Sequence, residues 1–221
     1  MSNFYSQNII LQWALALLML IVPFAFVLLL MKFFNDYTVI SCLLVPFIPP
    51  SIHFFGAPIA KLSGHHKYLS PMFLVDSVSD KKCVMHNGTT FDYLVNMRNV
   101  KPGLEFNKKM LVFYLDGLLN IVDKIEANEV SESTLFQGSS YFFNERTAKK
   151  LGFKLTKTMF TLKIYFLINY FDLTWMYSLS KGRLIFPNIN NVQTVSITGK
   201  NLVLSKTRLN NLRLFLTRNC K

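Results

Sequence analysis

Charged residues are nearly missing from the first quarter of this chain. The first sixty residues contain one basic residue, Lys32, and one acidic residue, Asp36. Two uncharged apolar runs flank that pair, at about 9–31 and 37–60. A helix of about 23 residues covers the roughly 30 Å hydrocarbon core of a bilayer, because each residue adds about 1.5 Å. This scarcity of charge excludes an ordinary soluble N-terminal region and predicts a transmembrane helical hairpin anchor over residues 1–62.

Cysteine and histidine are too few and too scattered for a disulfide framework or a metal site. The three cysteines are an odd number without framework spacing, and they fit a reducing compartment. The four histidines, at positions 53, 65, 66 and 86, lack the spacing of metal ligands. We therefore predict no metal site, and the residues identify no cofactor.

Basic residues are also absent from the first eight positions. A secretory signal peptide would need a basic start and a small-residue cleavage site, so the pattern favours a retained anchor. Lys61 and Lys67 follow the second apolar run directly, and basic residues near membrane ends stay in the cytoplasm. A hairpin returns the chain to its starting side. We expect an integral protein of a bacterial inner (cytoplasmic) membrane, with both termini in the cytoplasm.

Proline interrupts the second apolar run. It contains Pro46, Pro49, Pro50 and Pro58, whereas the first run contains only Pro23. An interior proline removes a backbone hydrogen bond, and unpaired backbone groups are costly in lipid. The second run is therefore either a kinked full span, which we favour, or a re-entrant segment. A re-entrant segment would place the N terminus and the following domain on opposite sides of the membrane.

Acidic residues are scarce in the last third, where only Glu145 and Asp172 oppose fourteen basic residues over 144–221. Anionic headgroups attract basic residues beside a membrane by about 1 kcal/mol each. The partners predicted are therefore anionic membrane lipids, with possible protein partners in a membrane complex, whereas nucleic acid is disfavoured. The binding candidates for a headgroup or phosphate are Arg146, Lys149, Lys150, Lys154 and Lys157.

The order of elements beyond the anchor predicts one basic, cytoplasmic α+β domain over 63–221, lying at the membrane surface. Apolar residues recur at intervals of three and four residues from 105 to about 127, which predicts an amphipathic helix. Thr89 or Thr90 is expected to cap a short helix, and residues 192–198 alternate like a strand. We expect a connector over 65–75. We also expect a strand over 134–137 that Gly138-Ser139-Ser140 interrupts.

A third apolar stretch runs over residues 159–179. Lys163 and Asp172 would each cost about 2.5 to 3.5 kcal/mol at the centre of a bilayer, so a third span is disfavoured. Its many aromatic residues instead favour an interfacial or core helix.

His86 and Asp92 are the candidate catalytic pair. They resemble the His and Asp that mark glycerolipid acyltransferases, in which the Asp orients a His that takes a proton from a hydroxyl group. Those enzymes have four residues between the pair, whereas five intervene here. A histidine in a turn and an aspartate that caps a helix would also explain both residues.

Two functional hypotheses follow. In the favoured one, a hairpin anchor holds a basic domain that interacts with anionic lipid and partner proteins, as a membrane complex component or scaffold. In the alternative, the protein is a membrane-bound transferase acting on a lipid or lipid-linked substrate. His86 is then the base, Asp92 orients it, and Arg146, Lys149 and Lys150 bind the anion.

Overall fold

The computed structural model describes residues 4–33, 48–79, 81–140 and 145–218, which form a mixed α+β structure. The helices in these ranges are α1 (Ile9–Phe33), α2 (Ile48–Leu62), α3 (Thr90–Asn96), α4 (Leu104–Glu126), α5 (Glu145–Lys150), α6 (Phe160–Ile168), α7 (Tyr170–Lys181), α8 (Gly199–Leu204) and α9 (Lys206–Arg218). The strands are β1 (Lys67–Ser70), β2 (Phe73–Ser79), β3 (Lys82–Asn87), β4 (Leu135–Ser140), β5 (Lys154–Lys157) and β6 (Gln193–Thr198). Short 3-10 turns occupy Phe4–Ser6 and Ile189–Asn191.

Helix α1 is, among the described residues, the one helix long and apolar enough to cross a membrane. Its apolar stretch, Ile9–Leu30, has 22 residues, and almost none of it is buried against the rest of the protein. A membrane anchor and an N-terminal signal sequence share these properties of length and composition.

Helix α2 contains the described half of the second apolar run and packs against α1. Its fifteen residues reach about 22 Å, which is less than a bilayer core. Pro49 and Pro50 lie in its first turn, where the missing N–H groups have no helical acceptor to lose. The first half of the predicted second span lies in residues 34–47, outside the described part, so the hairpin stays a prediction.

The six strands form one mixed sheet in the order β1-β2-β3-β4-β6-β5. Strands β3 and β4 are parallel, and the other neighbouring strands are antiparallel. Helices α3 and α4 connect the parallel pair, because a parallel connection needs a long crossover.

The connector predicted over 65–75 was wrong. Strands β1 and β2 occupy most of it, and Leu74 and Val75 are both buried because β2 lies inside the sheet with each of its faces covered. The predicted interruption at Gly138-Ser139-Ser140 was also wrong. Strand β4 runs through it, paired with β3 and β6, and the Ser139 hydroxyl bonds Thr194 Oγ1 across the ladder at 2.8 Å.

The amphipathic helix predicted over 105–127 is confirmed as α4, and the predicted strand over 192–198 is confirmed as β6. Phe106, Leu115 and Val122 of α4 are almost completely buried. With α8 and α9, this helix covers one face of the sheet, where the main apolar core lies. Asp116 of α4 pairs with Arg213 of α9, so part of the basic excess of the last third is used inside the domain.

The opposite face of the sheet carries several polar side chains beside Leu74 and Val84. Asp76, His86, Gln137 and Ser139 alternate with core residues along β2, β3 and β4, as the two-residue period of a strand requires. Helices α6 and α7 lie over this face and leave a cavity beneath them. The third apolar stretch therefore forms two helices, broken at Asn169, rather than one.

We predict that Gly117→Ala destabilises the protein by about 1 to 3 kcal/mol, the usual range for overpacking a core. A methyl group at Gly117 of α4 would lie 2.3 Å from a ring carbon of Phe73, too close for the sheet and helix to keep their spacing. Gly56→Ala in α2 is the matched control, because nothing lies within 4 Å of the added carbon. Thermal unfolding of the detergent-solubilised full chain measures both, and equal stability of the two variants would contradict this packing.

Candidate functional site

Asp92 is the most buried carboxylate among the described residues, with no exposed surface. It lies in the first turn of α3, where Thr89 and Asp92 form a reciprocal capping box. Of the two predicted caps, Thr89 or Thr90, the structure has Thr89. Asp92 Oδ2 accepts hydrogen bonds from the Thr89 amide and hydroxyl, both at 2.8 Å.

Two tyrosine hydroxyls complete the contacts of this carboxylate. Tyr5 donates to Oδ1 at 2.9 Å, and Tyr68 of β1 donates to Oδ2 at 2.6 Å. Burial, followed by the charge of Asp92, raises the pKa of both Tyr5 and Tyr68 well above the usual value, so both hydroxyls stay donors.

Lys61, in the last turn of α2, supplies a positive charge beside the same group. Its Nζ lies 3.2 Å from the ring centre of Tyr5 and 4.2 Å from that of Tyr68, which is a cation–π arrangement. Burial lowers the pKa of Lys61, and the Asp92 charge opposes that effect. We call Tyr5, Lys61, Tyr68, Thr89 and Asp92 the anchor junction, because they join the segment before α1 and the end of α2 to β1 and α3.

The structure does not bring His86 and Asp92 together. His86 Nε2 instead lies 3.3 Å from Asp76 Oδ2, while His66 Nδ1 lies 3.1 Å from Asp76 Oδ1. Asp76 on β2 therefore orients two histidines, one from β3 and one from the segment after α2. We call these three residues the histidine cluster.

The electrostatics of the histidine cluster favour a neutral His86. Partial burial lowers the pKa of His86, and nearby His66 lowers it further, whereas Asp76 opposes both effects. When Nε2–H donates to Asp76, the other ring nitrogen, Nδ1, carries a lone pair. A histidine oriented by a carboxylate in this way has the arrangement of a general base.

The histidine cluster lines a cavity of about 530 Å³ between the polar sheet face and helices α6 and α7. This volume lies within the range of small-molecule sites. The side chains on the helical wall are mainly apolar and recur at helical spacing: Leu162, Phe166, Leu173 and Met176. The sheet wall combines polar groups with Leu74 and Val84, and the helical wall is mainly apolar, which suits an amphiphilic molecule.

Two polar residues interrupt the apolar wall. Asn169 is 6% exposed and donates through Nδ2 to the Tyr165 carbonyl at 2.9 Å, but its Oδ1 has no hydrogen-bond partner among the described residues. Burial raises the pKa of Asp172 to about 6, and a hydrogen bond with Thr90 opposes that rise. Both residues line the cavity.

The predicted basic residues lie at the far edge of the sheet, on α5 and β5. Lys149 pairs with Glu145 at 2.7 Å on the exposed surface, where solvent screens the contact. Lys150 and Lys154 are exposed and make no ion pair within the described part of the chain. The side chains of Arg146 and Lys157 lie outside the described part.

Sequence reasoning missed Asp76, Asn169 and the role of His66. A signal was present, since Leu74, Asp76, Val84 and His86 lie at alternate positions of two apolar segments separated by a turn. For Asn169 and Asp172, the signal was a polar stripe at a spacing of three inside an apolar helix pattern. No group of three or more metal-ligating side chains arranged for a metal occurs among the described residues.

Comparisons of this chain with protein-family models, with curated proteins and with solved structures find no match.

We predict that Asp92→Asn lowers the free energy of unfolding by about 2 to 3 kcal/mol, because it replaces an acceptor-only group that satisfies four donors. Asp123→Asn is the matched control. Asp123 is exposed and pairs with Lys206 at 3.3 Å, so its loss costs less than about 1 kcal/mol. Denaturant unfolding in detergent measures both, and an equally small effect at Asp92 would refute the anchor junction.

Proposed function

We propose that this chain is an integral membrane protein whose basic α+β domain lies on the bilayer and interacts with anionic lipid, as a component of a membrane complex. The hairpin formed by α1 and the second apolar run holds it there, with both termini in the cytoplasm. Lys61 in the last turn of α2 and Lys67 five residues after that helix support this orientation.

The observation that carries this proposal is an exposed apolar stripe on α6 and α7. Its residues recur at helical spacing and are each 43% to 76% exposed: Phe160, Ile164, Leu167, Ile168 and Phe171. Contiguous exposed apolar surface marks an interaction site. We call this surface the outer stripe; it faces away from the cavity.

The bilayer that contains α1 is the occupant that we assign to the outer stripe. Helix α1 is long and apolar enough to span a membrane and exposes most of its apolar surface, which supports a bilayer as the occupant. Basic residues lie close to the stripe along the chain, with Lys154 before α6 and Lys163 within it. Apolar insertion flanked by positive charge is the pattern of an interfacial helix on anionic lipid.

A membrane-bound transferase acting on a lipid or lipid-linked substrate is the second candidate. The pairing of His86 with Asp76, beside a cavity with one apolar wall, favours it. In this version of the hypothesis Asp76 replaces Asp92 as the residue that orients the base. His86 Nδ1 takes the proton of an acceptor hydroxyl as that oxygen attacks the transferred group. The bond between this group and its donor breaks, and the protonated His86 returns the proton to the leaving group of the donor.

For the membrane-docked domain we predict that a fluorophore on Leu167→Cys is quenched by brominated lipid in nanodiscs of full-length protein. The same label on Leu204→Cys, which is more exposed on α8 than Leu167 is on α6, should remain unquenched. Both variants are made in a chain whose natural cysteines are serine. Equal quenching at the two positions, or none at position 167, would contradict docking through the outer stripe.

The contribution of the basic residues to membrane docking is tested separately, with a control variant of its own. Lys150→Gln with Lys154→Gln should weaken docking to phosphatidylglycerol nanodiscs by about 1 kcal/mol per charge, and this difference should vanish in 1 M salt, where the Debye length is about 3 Å. Lys206→Gln should change nothing, because Lys206 is already paired with Glu126 at 2.6 Å. Docking that is equal on phosphatidylcholine would refute the role of charge.

For the transferase we predict that His86→Ala abolishes function in cells that lack the natural gene, while the level of membrane-inserted protein is unchanged. Loss of a general base typically costs about 10² to 10⁴ in rate. Asp76→Asn should lower function less completely, and His65→Ala, an exposed neighbour of the cluster, should leave it intact. Full function of the His86 variant would exclude this candidate.

A further inference from the structure

The lining of the cavity under α6 and α7 indicates the kind of ligand that it can bind. This inference does not depend on whether His86 performs a reaction or the outer stripe docks on lipid. Its helical wall offers apolar carbon from Leu162, Phe166 and Leu173, and its sheet wall offers polar groups. A purely apolar molecule would leave the sheet wall without partners, and a purely polar one would leave the helical wall against water.

Two acceptors at the cavity have no donor among the described residues, Asn169 Oδ1 and one ring nitrogen of His86. Asn169 Oδ1 is buried without a donor among the described residues, although the Nδ2 of the same amide is satisfied. Both Asp76 oxygens are taken by the two histidines. With its Nε2–H directed to Asp76, a neutral His86 offers Nδ1 as a further acceptor.

Acceptors on the wall require donors on the ligand. A hydroxyl group supplies a donor and carries no charge. A phosphate or carboxylate brings only further acceptors, and its negative charge would meet Asp76 and Asp172 in the same cavity. Lys82 is the single ammonium group among the lining residues, against these two carboxylates. The lining therefore favours a neutral hydroxyl over an anionic head.

We propose that this cavity binds a neutral amphiphile through its hydroxyl head, which donates to Asn169 Oδ1, while its hydrocarbon chain lies along Leu162, Phe166 and Leu173. The histidine cluster begins four residues after α2, and the His66 amide donates to the Ala60 carbonyl of that helix. The polar end of the cavity is thus next to the predicted membrane exit. The ligand enters from the bilayer surface.

Photolabelling of the full-length protein in nanodiscs tests this assignment. The probe is a long-chain primary alcohol that carries a diazirine near the middle of its chain, and the matched control probe is its methyl ether. We expect the alcohol to label peptides from 159–177, and to label them about tenfold more than the ether, which corresponds to about 1.4 kcal/mol of binding free energy. Equal labelling by the two probes, or labelling elsewhere, would overturn the proposal.

Variants test which group of the cavity accepts the hydrogen bond from the ligand hydroxyl. Asn169→Leu should lower labelling by the alcohol to the level of the ether, whereas Asn190→Leu, the same change at an exposed position, should leave the preference intact. Leu173→Trp, which fills the cavity without removing a polar group, should lower labelling by both probes. An alcohol preference that survives Asn169→Leu, or labelling that Leu173→Trp leaves unchanged, would refute the site.

Competition distinguishes the two sources of such a hydroxyl. Unlabelled long-chain alcohol and diacylglycerol are added separately to the nanodiscs before illumination. Competition by the alcohol alone assigns a single-chain ligand, and competition by diacylglycerol assigns a membrane lipid; each result supports the cavity as a neutral amphiphile site. If neither competitor lowers the labelling, the result would contradict the site.

Discussion

The buried carboxylate of Asp92 is the contact on which the arrangement of this protein depends. A carboxylate without exposed surface is tolerated only when its oxygens are satisfied, and here Tyr5, Tyr68 and Thr89 donate to it. These donors come from the segment before α1, from β1 and from the cap of α3, with the ammonium group of Lys61 against both tyrosine rings. One buried group therefore fixes both ends of the apolar region against the sheet.

The rest of the geometry follows from that fixed point. With the end of α2 held beside β1, His66 reaches Asp76 on the next strand, and Asp76 orients His86 on the third. The polar face of the sheet then lies under α6 and α7, whose inner side lines the cavity and whose outer stripe is exposed. The proposed membrane docking and the proposed amphiphile site thus depend on the same arrangement.

Much of the local structure was readable from the sequence, because it depends on short-range physics. The apolar period of α4, the capping box at Thr89 and the alternation of β6 all involve neighbouring residues. The candidate site was not readable in the same way. His86 and Asp92 are close in the chain, but Asp92 accepts hydrogen bonds from Tyr5 and Tyr68, which precede it by 87 and 24 residues. The partner of His86 comes from another strand. Contacts that depend on strand pairing between separate segments produce no recognisable residue spacing in the sequence. The turn prediction for Gly138-Ser139-Ser140 failed for the same reason, since pairing with β3 and β6 overrides local preference.

The most direct test of this account is the distance between the end of α2 and α3 in the full-length protein in nanodiscs. Spin labels at Ser63 and Leu94, both exposed and on either side of the anchor junction, report it by double electron–electron resonance. The account predicts one narrow distance distribution, which broadens when Asp92 is replaced by Asn. A broad distribution in the unchanged protein, or a narrow one that the Asp92 substitution leaves unaltered, would contradict the claim that this carboxylate joins the membrane region to the domain.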